Sequence, residues 1–345
     1  MASTLARIRN AVARREQCFL STPNLTFLVA CQSDEAFRNS VIDSDLSIAD
    51  GAPLLWIARL LRIPIPERVP GAGVFERLRD GSQSPIRVYF FGGDQGVAEA
   101  ACRQTNSCGT GLVCVGHEFP GFGSIDSMSS DETIARINDS GADFVIVSLG
   151  ARKGQAWIVR NKDKLHAPVI SHLGAVIKFS AGTVRRAPSW MQRFGLEWVW
   201  RIKEEPELWR RYFSDGLVFL QLLVTRVVPY FLLSYCRVPR APKFAPAALE
   251  YLVHEDTVAI RLKGAWTLDN LKGLRDCFAD ERLAEKNIRL EMAHVTDVDA
   301  AFLGLLMLMY GDRRRRGRRL VVSGSNGFVR RLFRYACADY LLETE

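Results

Sequence analysis

The chain has 345 residues, 48% apolar and 24% charged, and a net charge of +8. That length exceeds one ordinary domain, and that balance excludes a disordered or low-complexity chain. Residues 246–345 hold 16 Lys and Arg against 15 Asp and Glu, which leaves +7 on residues 1–245. Arginine dominates, and an arginine-rich surface suits phosphates, whether of a nucleotide diphosphate, a nucleic acid or an anionic lipid.

The N-terminus, "MASTLARIRNAVARREQCFL", is basic but has no unbroken apolar core, so no signal peptide is read and a cytoplasmic protein is expected. Next, "STPNLTF" (21–27) brings Thr22 and Asn24, which turn chemistry alone explains. In "DLSIADGAPLLWIARLL" (45–61), Asp50-Gly51 stands between a strand-like and a helix-like run. Asp50 there is a turn residue, a helix cap or a general base at the carboxyl end of a strand. "IPERVPGAG" (65–73) carries Arg68 in a Pro-flanked loop, informative only if other charges converge on it.

From about residue 45 to 180, strand-like and amphipathic helical stretches alternate. "IRVYFFGG" (86–93), "GLVCVGHEF" (111–119), "ADFVIVSLG" (142–150) and "APVISHLGAVI" (167–177) read as strands. "DQGVAEAACRQ", "DETIARINDS" and "KGQAWIVRNKDKL" read as helices between them. A mostly parallel sheet covered on both faces follows, with ligands expected beyond the carboxyl ends of its strands, where Asp50, Gly92-Gly93 and Gly150 fall. Gly92 and Gly93 could bring backbone amides up to a diphosphate at a helix start, and a plain tight turn explains them equally. "SLGARKGQAW" (148–157) repeats the junction with Arg152, Lys153 and Gln155, read either as solvated residues of a capped helix or as phosphate or sugar contacts.

Residues 185–213 mix aromatics with arginines, and "GLVFLQLLVTRVVPYFLLSYC" (216–236) is almost wholly apolar. Its 12 Leu, Val and Phe residues give about −5 kcal/mol of insertion energy, against about +2.5 to +3.5 for the central Arg226. Spanning a bilayer is therefore marginal. Lying in the interface, with Arg226, Arg237, Arg240 and Lys243 near anionic headgroups, is easier, and the plain alternative is a helix buried against the C-terminal unit. "RVPRAPKFAPAA" (237–248) reads as a linker.

Beyond it, "YLVHEDTVAIRLKGAW" reads as two short strands, "TLDNLKGLRDCFADERLAEK" as a helix and "IRLEMAHVT" as a strand. A helix ("AAFLGLLMLMYGDRRRR"), a strand ("RRLVVSGS") and a helix ("GFVRRLFRYACADYLL") complete the unit. The arginines of "RRRRGRR" (313–319) suit a solvated turn at a helix C-terminus better than nucleic acid, since no aromatics interleave them. Eight cysteines (Cys18, Cys31, Cys102, Cys108, Cys114, Cys236, Cys277, Cys337) form no CxxC pair and are expected as buried free thiols, not as zinc ligands or a disulfide framework. His117, His166, His172, His254 and His294 lack ligand spacing, and none is assigned to a metal.

Several stretches together resemble the WecG/TagA/CpsF glycosyltransferases, family 26 of the glycosyltransferases, over roughly residues 20–215. They are "TPN" (22–24), "ADGAPLLWIARLL" (49–61), "ERVPGAGVFERL" (67–78), "VYFFGGDQGVAEAA" (88–101), "INDSGADFVIVSLGARKGQAWI" (137–158) and "GAVIKFSAGTVRRAPSWMQRFGLEWVWRIKEEPELWRRY" (174–212). The resemblance implies inverting, metal-independent transfer of an N-acetylmannosamine-like sugar from a UDP-sugar to a polyprenyl-diphosphate-linked acceptor in exopolysaccharide or surface-glycan synthesis. It makes Asp50 the general base, and Thr22, Asn24, Arg68, Gln155, Arg201, Arg210 and Arg211 substrate-binding, the last three neutralising departing UDP in place of a metal; Gly92 and Gly93, read from their own junction, complete the expected substrate-binding set. Many relatives carry Glu after the loop glutamine; here Ala156 follows Gln155, so the sugar preference does not carry over.

Residues 250–345 resemble a STAS domain, with the signature in "VTDVDAAFLGLL" (295–306). Ala300 follows Asp299 where phosphorylated members carry Ser, so protein binding, not a phospho-switch, is the implied role.

The fold class implied is α/β: a Rossmann-like, mostly parallel sheet with helices on both faces, plus a smaller α/β STAS-like domain. The expected boundaries are 1–215, 216–249 (membrane-associating segment and linker) and 250–345. The partners implied are a UDP-sugar, the lipid-linked acceptor, the inner face of the cytoplasmic membrane and a protein bound through the STAS-like domain, with a homo-oligomer left open and no nucleic acid. No cofactor or metal is expected. The alternative is a catalytically idle sugar-nucleotide sensor signalling through the STAS-like domain.

Overall fold

The computed structural model describes residues 1–81, 84–108, 110–235 and 247–343, and they divide into two units. The first holds residues 1–56 and 65–216, and the second residues 57–64 and those from 217 onward. The apolar stretch is counted with the second unit rather than as a segment of its own. The linker, with Cys236, Arg237, Arg240 and Lys243, lies outside the described residues.

In the first unit the strands are β1 (Cys18–Ser21), β2 (Leu46–Ser47), β3 (Ile86–Gly92), β4 (Leu112–Glu118), β5 (Phe144–Ser148) and β6 (Val169–His172). They pair in parallel, in the order β2-β1-β6-β5-β3-β4. The helices are α1 (Ala2–Arg14), α2 (Leu25–Ser33), α3 (Glu35–Ile42), α4 (Ala52–Leu60), α5 (Gly71–Arg79), α6 (Val97–Cys108), α7 (Asp131–Asp139), α8 (Ala151–Asn161), α9 (Val176–Ser180), α10 (Ser189–Phe194), α11 (Glu197–Glu204) and α12 (Leu208–Leu222), of which α4 from residue 57 and α12 from residue 217 belong to the second unit. Side chains on a strand alternate between faces, and here both faces are buried. Val88, Phe90, Phe144 and Ile146 point into one core with residues of α1, α5 and α6. Their neighbours Tyr89, Phe91, Val145 and Val147 point into the other, where Trp157 of α8 stacks on Phe91 with ring centroids 4.5 Å apart.

Two expectations are corrected in this unit. "APVISHLGAVI" is a strand only to His172; after a turn at Gly174 the chain enters α9, because a short apolar run carries no periodicity to tell strand from helix. Cys102 and Cys114 are joined by a disulfide where α6 packs on β4, their Cα atoms 5.2 Å apart, so the thiols are not all free. Cys18 and Cys277 are buried free thiols as expected, whereas Cys108 is exposed.

The second unit contains α13 (Val228–Tyr235), β7 (Ala248–Val253), β8 (Thr257–Trp266), α14 (Lys272–Phe278), β9 (Asn287–Val298), α15 (Ala300–Arg315), β10 (Leu320–Ser323) and α16 (Gly327–Tyr335). Its sheet runs β10-β9-β8-β7, with the β7–β8 hairpin antiparallel and the other pairings parallel. The single helix expected over 267–286 is three short pieces. The Asn270 side chain bonds the Thr267 amide and the Ala265 carbonyl, and Asp280 accepts from the Arg282 amide, so polar side chains divert the backbone from one continuous helix.

α12 runs into α13 through a π-helical turn, Leu223–Val227, ahead of Pro229, which has no amide to offer the preceding turn. The helical run Leu208–Ser234 is long and apolar enough, by length and composition, to cross a membrane. In the second unit this helix is split lengthwise. Val227 and Tyr230 are buried in the core with Leu61, Ile260 and Phe333, while Leu217, Leu220, Val224, Val228 and Leu232 are 44–62% exposed.

Not all of "RRRRGRR" is a solvated turn, as expected of it. Arg313 is 2% exposed, its Nη1 donating to the carbonyls of Leu283, at 2.6 Å, and Ala284. Removing it strands those carbonyls, so Arg313→Ala is expected to cost about 2–4 kcal/mol, and Arg315→Ala, at an exposed position, less than about 0.5 kcal/mol. Urea denaturation of both variants checks this; equal effects would contradict it.

Candidate active site

A cleft of about 460 Å³ opens at the carboxyl ends of the first unit's strands. Thr22 and Asn24 enter it just after β1, Asp50 after β2, Gly93 and Asp94 after β3, Gly150 after β5 and Leu173-Gly174 after β6. Parallel strands place their carboxyl ends on one edge, so residues far apart in sequence meet there. Lys178, Glu197, Arg201, Glu205, Arg211 and Tyr212 complete the wall from α9, α11, α12 and their connections.

Asp50 is the carboxylate on which this cleft turns. Its own amide donates to the Pro23 carbonyl at 2.9 Å, and its Oδ2 accepts from the Gly71 amide at 3.4 Å. Burial pushes its pKa up to about 6; Arg68, the Gly71 amide and Arg186 pull the other way, and Glu197 adds to the rise. The side chain is part-exposed because one side faces the cleft, but protein surrounds the rest. Arg68 is not free to roam: it donates to the Gln192 carbonyl at 2.9 Å and pairs with Glu197.

The other sequence-derived residues divide. Thr22 donates to the His172 carbonyl at 3.4 Å, and Asn24 caps α2 by accepting from the Phe27 amide; both line the cleft. Gly93 lines it as well, but its amide donates to the Ser148 carbonyl at 2.8 Å, and a Cβ on Gly92 would lie 2.6 Å from that same oxygen. With φ of +104° and +83°, the two glycines set the turn's shape rather than offering that amide to a ligand.

Gln155 is fully buried, not on the cleft wall; its Nε2 donates to Ser21 Oγ at 3.1 Å. Arg201 lines the cleft, paired with Glu205 and set over the Phe179 ring, with Nε and Nη1 buried and without a hydrogen-bond partner. Arg211 also lines it, over Tyr212, whereas Arg210 and Arg68 do not.

Sequence reasoning missed Asp94, Lys178, Arg186, Glu197 and Glu205. Asp94 and Glu205 lay inside stretches read for glycines and arginines, "FGGDQ" and "RIKEEPELWRR", while Lys178, Arg186 and Glu197 lay in "GAVIKFS", "TVRRAPS" and "FGLEWVW". It also passed over His172, a buried cleft residue that burial holds down at about 4 and so neutral, with neither ring nitrogen hydrogen-bonded. Among the described residues no three His, Cys, Asp or Glu side chains gather as a metal cage would require.

Residues 1–230 match the Glycosyl transferase WecG/TagA/CpsF family, and residues 252–343 match the family described as Mlab, STAS domain. The chain is similar to the N-acetylglucosaminyldiphosphoundecaprenol N-acetyl-beta-D-mannosaminyltransferase of Bacillus spizizenii, 28% identical over 61% of this chain and 83% of that one. Proteins of the same name from Bacillus subtilis (26% identical; 56% and 75% covered) and Staphylococcus aureus strain NCTC 8325 (22%; 53% and 70%) are similar too. Among solved structures, the unphosphorylated anti-sigma factor antagonist SpoIIAA matches with 18% identity and a TM-score of 0.26, over 28% of this chain and 85% of that one.

A carboxylate whose pKa is raised on folding lowers stability as pH rises: the contribution is absent below the ordinary pKa, grows between the ordinary and the folded value, and is complete above the latter. Asp50→Asn is therefore expected to be more stable than the wild type at pH 8, by about 1–3 kcal/mol, with the difference shrinking as pH falls from about 6 to about 4 and gone below that. Thermal unfolding across that range checks the sign; a variant less stable than wild type at pH 8 would contradict it.

Proposed function

The chain belongs to the WecG/TagA/CpsF family of glycosyltransferases, and we propose that it moves a sugar, N-acetylmannosamine or a close relative, from a UDP-sugar to a polyprenyl-diphosphate-linked acceptor. Its similar proteins are named for transfer of N-acetyl-β-D-mannosamine to N-acetylglucosaminyl-diphosphoundecaprenol. The observation that carries the reading is Asp50, a part-buried carboxylate with a pKa near 6 facing a cleft at the strands' carboxyl ends. A general base works best when its pKa lies near the working pH.

In the proposed reaction an acceptor hydroxyl attacks the anomeric carbon from the side opposite the diphosphate. The new C–O bond forms as the bond to UDP breaks, with inversion. The hydroxyl proton passes to Asp50, and UDP carries away the bonding electrons. Arg201 and Arg211 lie on the cleft wall, where guanidinium groups would steady the charge growing on the leaving diphosphate without a metal ion.

The proposal extends to place: the inner face of the cytoplasmic membrane, with the chain lying on it rather than crossing. The exposed row from Leu217 to Leu232 supports contact with lipid, while Val227 and Tyr230 of the same helical run are built into the second unit's core. Crossing would carry the polar surface of the unit packed on these two residues into hydrocarbon, whereas lying in the interface leaves it in water. The STAS domain, with Ala300 after Asp299, fits a protein-binding role.

Asp50→Asn is expected to bind UDP but lose roughly 10²–10⁴-fold in turnover, read by mass spectrometry of products from UDP-N-acetylmannosamine and a prenyl-diphosphate-linked N-acetylglucosamine. Full activity would remove Asp50 as base, and a wild type that binds UDP but transfers nothing would favour the sensor. For the membrane, Leu220→Lys with Val224→Lys is expected to cut binding to anionic vesicles by roughly tenfold or more. Unchanged flotation would assign that helix face to something other than lipid.

A further inference from the structure

Lys178 is a cleft cation to which no role has been given. Its Nζ lies 2.9 Å from Glu205 Oε1 and 3.1 Å from Asp94 Oδ2, so it ties α9 both to the glycine turn after β3 and to the connection between α11 and α12. Glu205, through its other oxygen, pairs with Arg201. One carboxylate therefore holds two cations on the cleft wall, and Arg201 keeps two buried N–H groups there with no hydrogen-bond partner.

Lys178's two partners are unequal. Glu205 is 19% exposed and doubly engaged, whereas Asp94 is 57% exposed and sits between Gly93 and Gly96, both at positive φ. A largely exposed ion pair adds little, and a turn with two such glycines lets Asp94 turn away easily. Glu205 would meanwhile keep the ammonium aimed. An ammonium has three donors, so one remains beyond the two carboxylates. Burial works against its charge, but the bonds to Glu205 and Asp94 outweigh that and hold Lys178 protonated.

We propose that Lys178 binds the diphosphate of the nucleotide-sugar donor, the Asp94 carboxylate standing where a phosphate oxygen would bind and giving way to it. Glu205 is the positioning residue that presents Lys178 and Arg201 together. The inference rests on the reading of this cleft as a UDP-sugar site. It adds a lysine to the arginines expected to balance the leaving group.

The test is calorimetric binding of UDP and of uridine to the full chain and to Lys178→Met, Lys178→Gln and Lys178→Arg, with thermal melts alongside. Lys178→Gln keeps a donor for Glu205 without the charge and guards against a folding failure in Lys178→Met. Loss of a charge-assisted contact is expected to weaken UDP roughly tenfold or more in the Met and Gln variants. Uridine affinity should hold, and Lys178→Arg should recover most of the loss. UDP affinity unchanged in Lys178→Gln, or uridine weakened as much as UDP, would overturn the role of Lys178 while leaving the cleft's assignment standing. A wild type that binds no UDP would overturn both.

Discussion

The Asp50 carboxylate is held where water is scarce and two guanidinium groups are near, and the chemistry proposed for the cleft depends on that balance. Burial alone would leave a neutral acid, unable to take a proton. Close pairing with a free arginine would make it too weak a base. Arg68 is instead engaged with Glu197 and the Gln192 carbonyl, so it tempers the effect of burial without cancelling it. The pKa near 6 is the outcome.

The remaining cleft charges follow the same economy of shared partners. Glu205 serves Arg201 and Lys178, Asp94 meets Lys178 from the glycine turn, and Glu197 restrains Arg68. Two of the positive side chains that a diphosphate would need, Arg201 and Lys178, are thus placed beforehand by one shared carboxylate. Preplaced dipoles and charges are what make such sites effective, because little has to reorganise during reaction. The parallel sheet supplies the frame, since its carboxyl ends bring residues 22 to 212 to one rim.

Much of this was legible in the sequence. Alternating apolar runs and amphipathic stretches gave the doubly covered sheet, because period-2 and period-3.6 patterns have different physical causes. Asp50 and Thr22 stood out through ordered matches to a family, not through their own surroundings. What stayed hidden was set by tertiary packing. Gln155 turns inward to Ser21, Cys102 meets Cys114 only because α6 lies on β4, and Arg313 is buried by the carbonyls of residues 283 and 284. Lys178 was unreadable as a cleft cation because its partners are 84 residues upstream and 27 downstream.

The second unit joins a STAS domain to a helix whose two sides have different surroundings, one built into the core and one exposed. That arrangement keeps an apolar surface on a folded body, as the proposed transfer to a lipid-linked acceptor would need. The core of the account remains the carboxylate, and the pH dependence of kcat/KM tests it most directly, since that ratio reports ionisations of the free enzyme. The expected result is a rise in kcat/KM through a midpoint near the Asp50 value of about 6. A flat profile across that midpoint, or the same rising limb in an Asp50→Asn enzyme, would contradict it.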